Sequence, residues 1–150
     1  MRLSPLPPRL ATAQAAWLVD EEPWRGLGYE AGPLGRWLGR KAKSGQVRGA
    51  IERGEVVGLI VVQPEVLLGR FIALLAVRAA AAGRGIGRAL IEDELGRLAR
   101  LGVRWLYTSS DAGNRGAAAF YRRLGFVRVG RLPDLVRVGH TDILWRRAVG

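Results

Sequence analysis

Residues 79–102 read AAAAGRGIGRALIEDELGRLARLG, and the fold turns on how this stretch changes character halfway along. Its first half is a run of small residues leading into three glycines, Gly83, Gly85 and Gly87, interleaved with Arg84, Ile86 and Arg88. Its second half is helical in period: Leu90, Ile91, Leu95, Leu98 and Leu101 fall on one broad face, and Gly102 stops the helix. Glu94 falls inside that apolar arc, and its expected place is the rim. Just upstream, Arg70 to Val77 is a continuous apolar stretch, the pattern of a strand buried on both faces. Just downstream, Val103 to Ser109 reads as the next strand. A strand, a glycine loop, a helix and a second strand in this order imply a parallel crossover.

Farther out, Gly45 to Arg53 and Glu55 to Pro64 are two strands joined at Arg53-Gly54, a hairpin signal. Ala11 to Val19 and Leu34 to Lys43 read as helices, separated by Pro23, Gly26, Gly28, Gly32 and Pro33. The extreme N-terminus, MRLSPLPPRL, reads as an ordinary first strand and a poor secretory signal, because prolines break its apolar content. Asn114 is placed as an N-cap, with Ala117, Phe120, Tyr121 and Leu124 on one stripe and Gly125 as the stop. Phe126 to Arg131 and Asp142 to Arg147 are the last strands, around a Pro133–Gly139 connection.

The chemistry of the central loop follows from its residue types. Glycines bring backbone N–H groups close to a ligand, the helix start adds partial positive charge, and Arg84 and Arg88 add full charges. Phosphate is the natural guest, and a mere tight turn is the alternative. The spacing fits neither common nucleotide fingerprint. A dinucleotide loop needs a third glycine where Arg88 or Leu90 stands, and the G-x-x-x-x-G-K-[ST] loop is absent.

Composition limits the alternatives. The chain has 150 residues, 49% apolar and 25% charged, enough for one ordinary domain and one core. The longest uncharged apolar run, Phe71 to Val77, is far short of the roughly 20 residues of a membrane span. There is no cysteine and one histidine, so thiolate chemistry, disulfides and histidine-rich metal sites are excluded, and no carboxylate cluster has metal-ligand spacing. The net charge is +11, with 24 basic residues of which only Lys41 and Lys43 are lysine. Such a field favours polyanions, and a solvated arginine-rich surface explains it equally well.

From Leu75 the chain reads Leu-Ala-Val, five more residues, then Gly-Arg-Gly-Ile-Gly-Arg-Ala-Leu; Asn114 to Phe126 reads Asn-Arg-Gly-Ala-Ala-Ala-Phe-Tyr-Arg-Arg-Leu-Gly-Phe. This pairing resembles the GNAT superfamily of acyl-CoA-dependent N-acyltransferases, over roughly Arg48 to Arg147. The resemblance implies a single α/β domain spanning residues 1–150. Its sheet would be mixed and mostly antiparallel, of about six or seven strands, with a parallel crossover at its centre and flanking helices. It implies acetyl-CoA as co-substrate, no metal, and an amine acceptor that is a small molecule or a protein amine. The loop Ala82, Gly83, Arg84, Gly85, Ile86, Gly87 and Arg88 would hold the pyrophosphate. The backbone of Leu75, Ala76 and Val77 would pair with the pantetheine arm, Asn114 would bind that arm, and Tyr121 would protonate the leaving sulfur. Two departures stand out: Ala82 replaces the family's usual Gln or Arg, and Phe71 to Leu75 lacks the carboxylate that many members use as base.

Each of these residues has a plainer reading: Tyr121 as core, Asn114 as a simple cap, and Asp111, Ser109 and Ser110 as turn residues. His140 reads as a loop residue, and Trp24 and Trp37, near Tyr29 and Glu30, as core. The function expected is acetyl transfer from acetyl-CoA to a primary amine in the cytoplasm, with no membrane partner and a homodimer left open. Two rivals are a non-catalytic acyl-CoA sensor and a basic nucleic-acid-binding module. The second is disfavoured because no nucleic-acid-reading motif or aromatic-interleaved basic run is present.

Overall fold

The Arg53-Gly54 pair forms a two-residue hairpin turn, with φ of 52° and 76°. Both residues are left-handed, the conformation that matches the twist of the strands it joins. In the computed structural model, which describes all of residues 1–150, this turn links β2 (Val47–Glu52) to β3 (Glu55–Val66). The remaining strands are β1 (Arg2–Pro5), β4 (Gly69–Val77), β5 (Trp105–Asp111), β6 (Val127–Pro133) and β7 (Thr141–Ala148). The helices are α1 (Pro8–Ala13), α2 (Ala15–Leu18), α3 (Ala31–Lys43), α4 (Ile86–Arg100) and α5 (Arg115–Arg123). The seven strands form one sheet of order β1-β2-β3-β4-β5-β7-β6, in which β4 and β5 run parallel. The expected mixed sheet with a parallel crossover is thereby met, and the N-terminal strand completes it.

By packing, the chain divides into two compact units, Met1–Val62 with Leu74–Asp93, and Gln63–Ala73 with Glu94–Gly150. In the first unit Leu18, Leu38, Val47, Leu59, Ile60 and Val61 are fully buried, as are Leu90 and Ile91 of α4. The expected helix Ala11 to Val19 is broken at Gln14, which is buried and satisfied locally. Its Nε2 donates to the Leu10 carbonyl (2.9 Å), and its Oε1 accepts from Trp17 Nε1 (2.8 Å). Helix α3 starts three residues earlier than its periodicity suggests, because Pro33 in the first turn costs no hydrogen bond there. Gly35 and Gly39 let α1 approach: a Cβ at Gly39 would lie 2.6 Å from the Thr12 hydroxyl.

In the second unit the core is Leu98, Leu106, Thr108, Tyr121, Phe126 and Trp145. The turn between β3 and β4 uses Leu67 and Leu68 at φ of 49° and 61°, which no turn residue announces. The Tyr107 hydroxyl donates to the Leu67 carbonyl (3.1 Å) and holds that turn. A Cβ at Gly69 would run into the Trp105 carbonyl oxygen, so β5 requires the glycine. Strand β6 is the sheet's last strand, with Arg128 and Arg131 exposed and a register shift between Arg128 and Gly130.

Three expectations need correction. Strand β4 alternates buried and half-buried positions, so it is covered fully on one face only. Leu101 lies beyond the end of α4 and is exposed. Glu94 is not at the rim but buried, 2% exposed, and its carboxylate is held by Arg97 Nη1 at 2.8 Å. An intrahelical arginine three residues on makes an acidic residue tolerable inside the apolar arc.

Candidate active site

In the first unit the end of β4 runs through Arg78 and a short 3-10 turn, Ala79–Ala81, into the glycine loop and α4. Arg78 fixes this junction. Its backbone N–H donates to the Val57 carbonyl, its Nε donates to the Val56 carbonyl (both 2.8 Å), and its guanidinium covers the Trp17 ring at 5.0 Å. Gly83 and Gly85 have φ of 77° and 79°, and nothing lies within 4 Å of where a Cβ would sit on either. Within the unit, none of the N–H groups from Gly83 to Arg88 has a protein acceptor; the first helical bond runs from Ala89 N–H to the Gly85 carbonyl. A run of free donors at the start of a 15-residue helix is an anion cradle. Ala82, Gly83, Arg84, Gly85 and Arg88 are exposed, Gly87 is half-buried and Ile86 is buried beneath the loop. Ala76 is buried, while Leu75 and Val77 are half-buried.

Two features here escaped the sequence reading. Arg84 and Arg88 already have carboxylate partners: Arg84 Nη2 lies 2.5 Å from Glu52 Oε2, and Arg88 Nε lies 2.8 Å from Glu92 Oε1. The Arg84 hydrogen bond lowers the Glu52 pKa, and the Glu52 carboxylate raises that of Arg84. Such exposed pairs contribute little and can be exchanged for a phosphate. Gly58 on β3 is the second feature. A Cβ there would come within 3.0 Å of both the Ala76 carbonyl and the Ile86 side chain, so β4 and the start of α4 close down on a bare backbone.

In the second unit, β5 pairs with β4 from Leu106 to Thr108 and with β7 along its whole length, from Trp105 to Asp111. Along β5 successive side chains face alternate sides of the sheet. Thr108 and Ser110 face α5. The Thr108 hydroxyl donates to the Ile72 carbonyl (3.3 Å), and Ser110 Oγ accepts from Trp145 Nε1 (2.9 Å). Tyr121 is 8% exposed and packs edge-on against Phe120 and Phe126, with Trp145 tilted beside it. Burial pushes the Tyr121 hydroxyl pKa above the usual tyrosine value, and the Thr108 hydroxyl works against that. The residue is thus both core and a phenol that stays protonated.

Ser109 and Asp111 face the other side. Asp111 Oδ1 accepts from the Gly113 N–H (2.7 Å) and its Oδ2 lies 3.2 Å from His140 Nδ1; these, with Arg137 nearby, hold its carboxyl below the usual range. Arg137 Nη2 is also 3.2 Å from His140 Nδ1. The β6–β7 connection that carries His140 is tied by Asp134, whose Oδ1 accepts from the Gly139 N–H (2.7 Å). Asp142, register partner of Asp111, is buried, and sequence reading had no signal for it beyond its place in a strand. Burial pushes its pKa up and the Asp111 charge adds to this, while a hydrogen bond with Ser109 opposes it.

Asn114 caps α5 as expected, its Oδ1 accepting from the Ala117 N–H (3.0 Å). Trp24 and Trp37 are half-buried rather than core, and Tyr29 and Glu30 are exposed. In neither unit do three or more His, Asp and Glu side chains converge as a metal site would need. No helix is long and apolar enough to cross a membrane.

The sequence matches the acetyltransferase (GNAT) domain family over residues 43–128. No curated protein matches the chain in sequence. Among solved structures, an aminoglycoside 6'-N-acetyltransferase complexed with coenzyme A superposes with a TM-score of 0.82 at 18% identity, covering 100% of this chain and 98% of that one. The ribosomal-protein-alanine N-acetyltransferase from Brucella melitensis gives 0.79 at 20% identity, over 99% of each chain. Arabidopsis thaliana NAA60, in complex with a bisubstrate analogue, gives 0.80 at 20% identity, over 98% of this chain and 97% of that one.

Proposed function

Because the chain belongs to the acetyltransferase (GNAT) family, we propose that it transfers an acetyl group from acetyl-CoA to a primary amine by direct attack. The observation that carries this reading is the glycine loop. Six successive N–H groups without a partner in their unit open α4 beside two left-handed glycines, a cradle that fits a pyrophosphate.

In this reading the N–H groups of Gly83 to Arg88 hold the phosphates, and Arg84 and Arg88 leave their carboxylates to join them. Ala82 offers only backbone there, so the grip is mostly main-chain. The backbone of Leu75 and Val77 adds the pantetheine arm as if it were a strand, with Ala76 buried between them. Asn114 contributes to that arm while capping α5. The N–H near Val77 faces the negative charge that develops on the carbonyl oxygen. Tyr121, kept protonated by burial, gives its proton to the departing thiolate. No covalent intermediate on the protein is needed, and the chain has no cysteine to carry one.

The acceptors named for the structural relatives above, a ribosomal-protein alanine and an aminoglycoside, set the panel to be tried. It comprises a short peptide with N-terminal alanine, kanamycin and propylamine. Each is incubated with acetyl-CoA and the released thiol is read, against a background free of protein thiol. Acetylation of at least one amine supports the reading. CoA binding without turnover of any amine would establish the non-catalytic sensor instead.

A further inference from the structure

Asp142 is the buried carboxyl to which the transfer just described gives no task. It is 7% exposed, and no basic side chain of its unit lies within ion-pairing distance. Its surroundings can be named strand by strand. On β5 they are its register partner Asp111 and, on the diagonal and the same face of the sheet, Ser109. On β6 its partner is the apolar Leu132, and from the preceding connection come His140 and, 3.2 Å from the His140 ring, Arg137. A carboxyl so little exposed and without an ion-pair partner in its unit is a standing cost to the fold. Asp111, by contrast, is tied to the Gly113 N–H and His140 and stays ionised, which makes it a poor proton acceptor.

Resting on the acyl-transfer reading, the geometry points to Ser109 and Asp142 as the pair that deprotonates the acceptor amine. Ser109 stands at the edge of β5, one residue past the last β4–β5 pair of its unit, on the face opposite Tyr121. A thioester lying at this edge has the incoming amine on the Ser109 face and the departing sulfur on the Tyr121 face. The ammonium gives a proton to Ser109 Oγ as the serine's own proton passes to the Asp142 carboxylate. The neutral amine then forms the C–N bond to the acyl carbon and the C–S bond breaks. The sulfur takes the Tyr121 proton, and Tyr121 recovers one from the nitrogen, which becomes the amide. Asp142 returns its proton to water, so each turnover releases one proton.

The test is the pH dependence of kcat/KM for the best amine of the panel in Asp142→Asn and Ser109→Ala proteins, with CoA affinity and melting temperature measured alongside. At pH 7 the Asp142→Asn protein should lose roughly 100- to 10,000-fold in kcat/KM and the Ser109→Ala protein less, with CoA affinity within about threefold of the parent. The deficit should shrink at least tenfold as the pH approaches the amine's own pKa, where the amine is already neutral. A merely structural role would give a deficit independent of pH, and that result overturns the assignment. Parental turnover at pH 7 in a folded Asp142→Asn protein that binds CoA overturns it too. Failure of the unaltered protein to bind CoA or to acetylate any panel amine is a different result: it removes the acyl-transfer reading and this role with it.

Discussion

Tyr121 and Asp142 lie on opposite faces of the sheet, the phenol against Trp145 on the face of Thr108 and the carboxyl beside Asp111 on the face of Ser109. The same cause, burial, acts on both. It keeps the phenol protonated and makes the carboxyl a better proton acceptor than an exposed aspartate. Strand β5 therefore stands between a protonated phenol on one face and an aspartate carboxyl on the other, and the two cannot neutralise each other directly.

Tyr121→Phe keeps the ring among Phe120, Phe126 and Trp145 and removes only the oxygen. The melting temperature should change little, and CoA affinity should stay within a few-fold. Turnover of a responsive amine should fall by roughly 10- to 1,000-fold, less than for most positioned acids because a thiolate with a pKa near 8.5 is already a good leaving group. Undiminished turnover in the folded variant would leave Tyr121 a packing residue alone.

Gly85→Asp should abolish CoA binding while the protein still folds. The new carboxylate faces the phosphates, and a φ of 79° strains any side chain by about 1–2 kcal/mol. Calorimetry with CoA, paired with a thermal melt, reads both effects. Unchanged affinity in the folded variant would show that the loop is not a phosphate site.

Glu52→Gln releases Arg84 from its carboxylate partner and removes one negative charge from beside the loop. CoA affinity at low ionic strength should rise, by about two- to tenfold, and the gain should fade as salt screens the arginine. Titrations at two salt concentrations decide it: weaker binding in the variant would mean that Glu52 itself supports the loop.

The stability of the fold should carry a signature of Asp142. Its folded pKa is raised above the unfolded value, so the stability linked to it is fully present below the unfolded pKa, near 3.8. That stability is lost as pH rises through the folded pKa. Asp142→Asn removes the penalty of burying the charge, so the melting-temperature difference between variant and parent should favour the variant more at pH 7 than at pH 4. A difference that runs the other way would mean the ionised carboxylate stabilises the fold.

Much of this was written locally in the chain. The Arg53-Gly54 hairpin, the Asn114 cap and the stop at Gly125 each follow from one or two residues whose backbone preferences decide the outcome. The glycine loop's conformation was legible because glycine and a helix start act together within six residues, Gly83 and Gly85 taking the left-handed turn that leads into α4. What stayed hidden depends on partners far along the chain. Nothing near Arg84 announces Glu52, and nothing in a Leu-Leu pair announces a left-handed turn held by Tyr107. Asp142 looked like an ordinary strand residue until its register placed it opposite Asp111 and beside Ser109. Glu94 failed differently: its partner Arg97 is only three residues away, but periodicity counts apolar faces and does not register a pair buried within one.

Strand β6 closes the sheet with arginines at 128 and 131 pointing to solvent and an irregular stretch between them. A second copy adding itself there would set like charges against one another, and the shifted register would leave its hydrogen bonds out of step. This border therefore protects the chain from growing into ribbons.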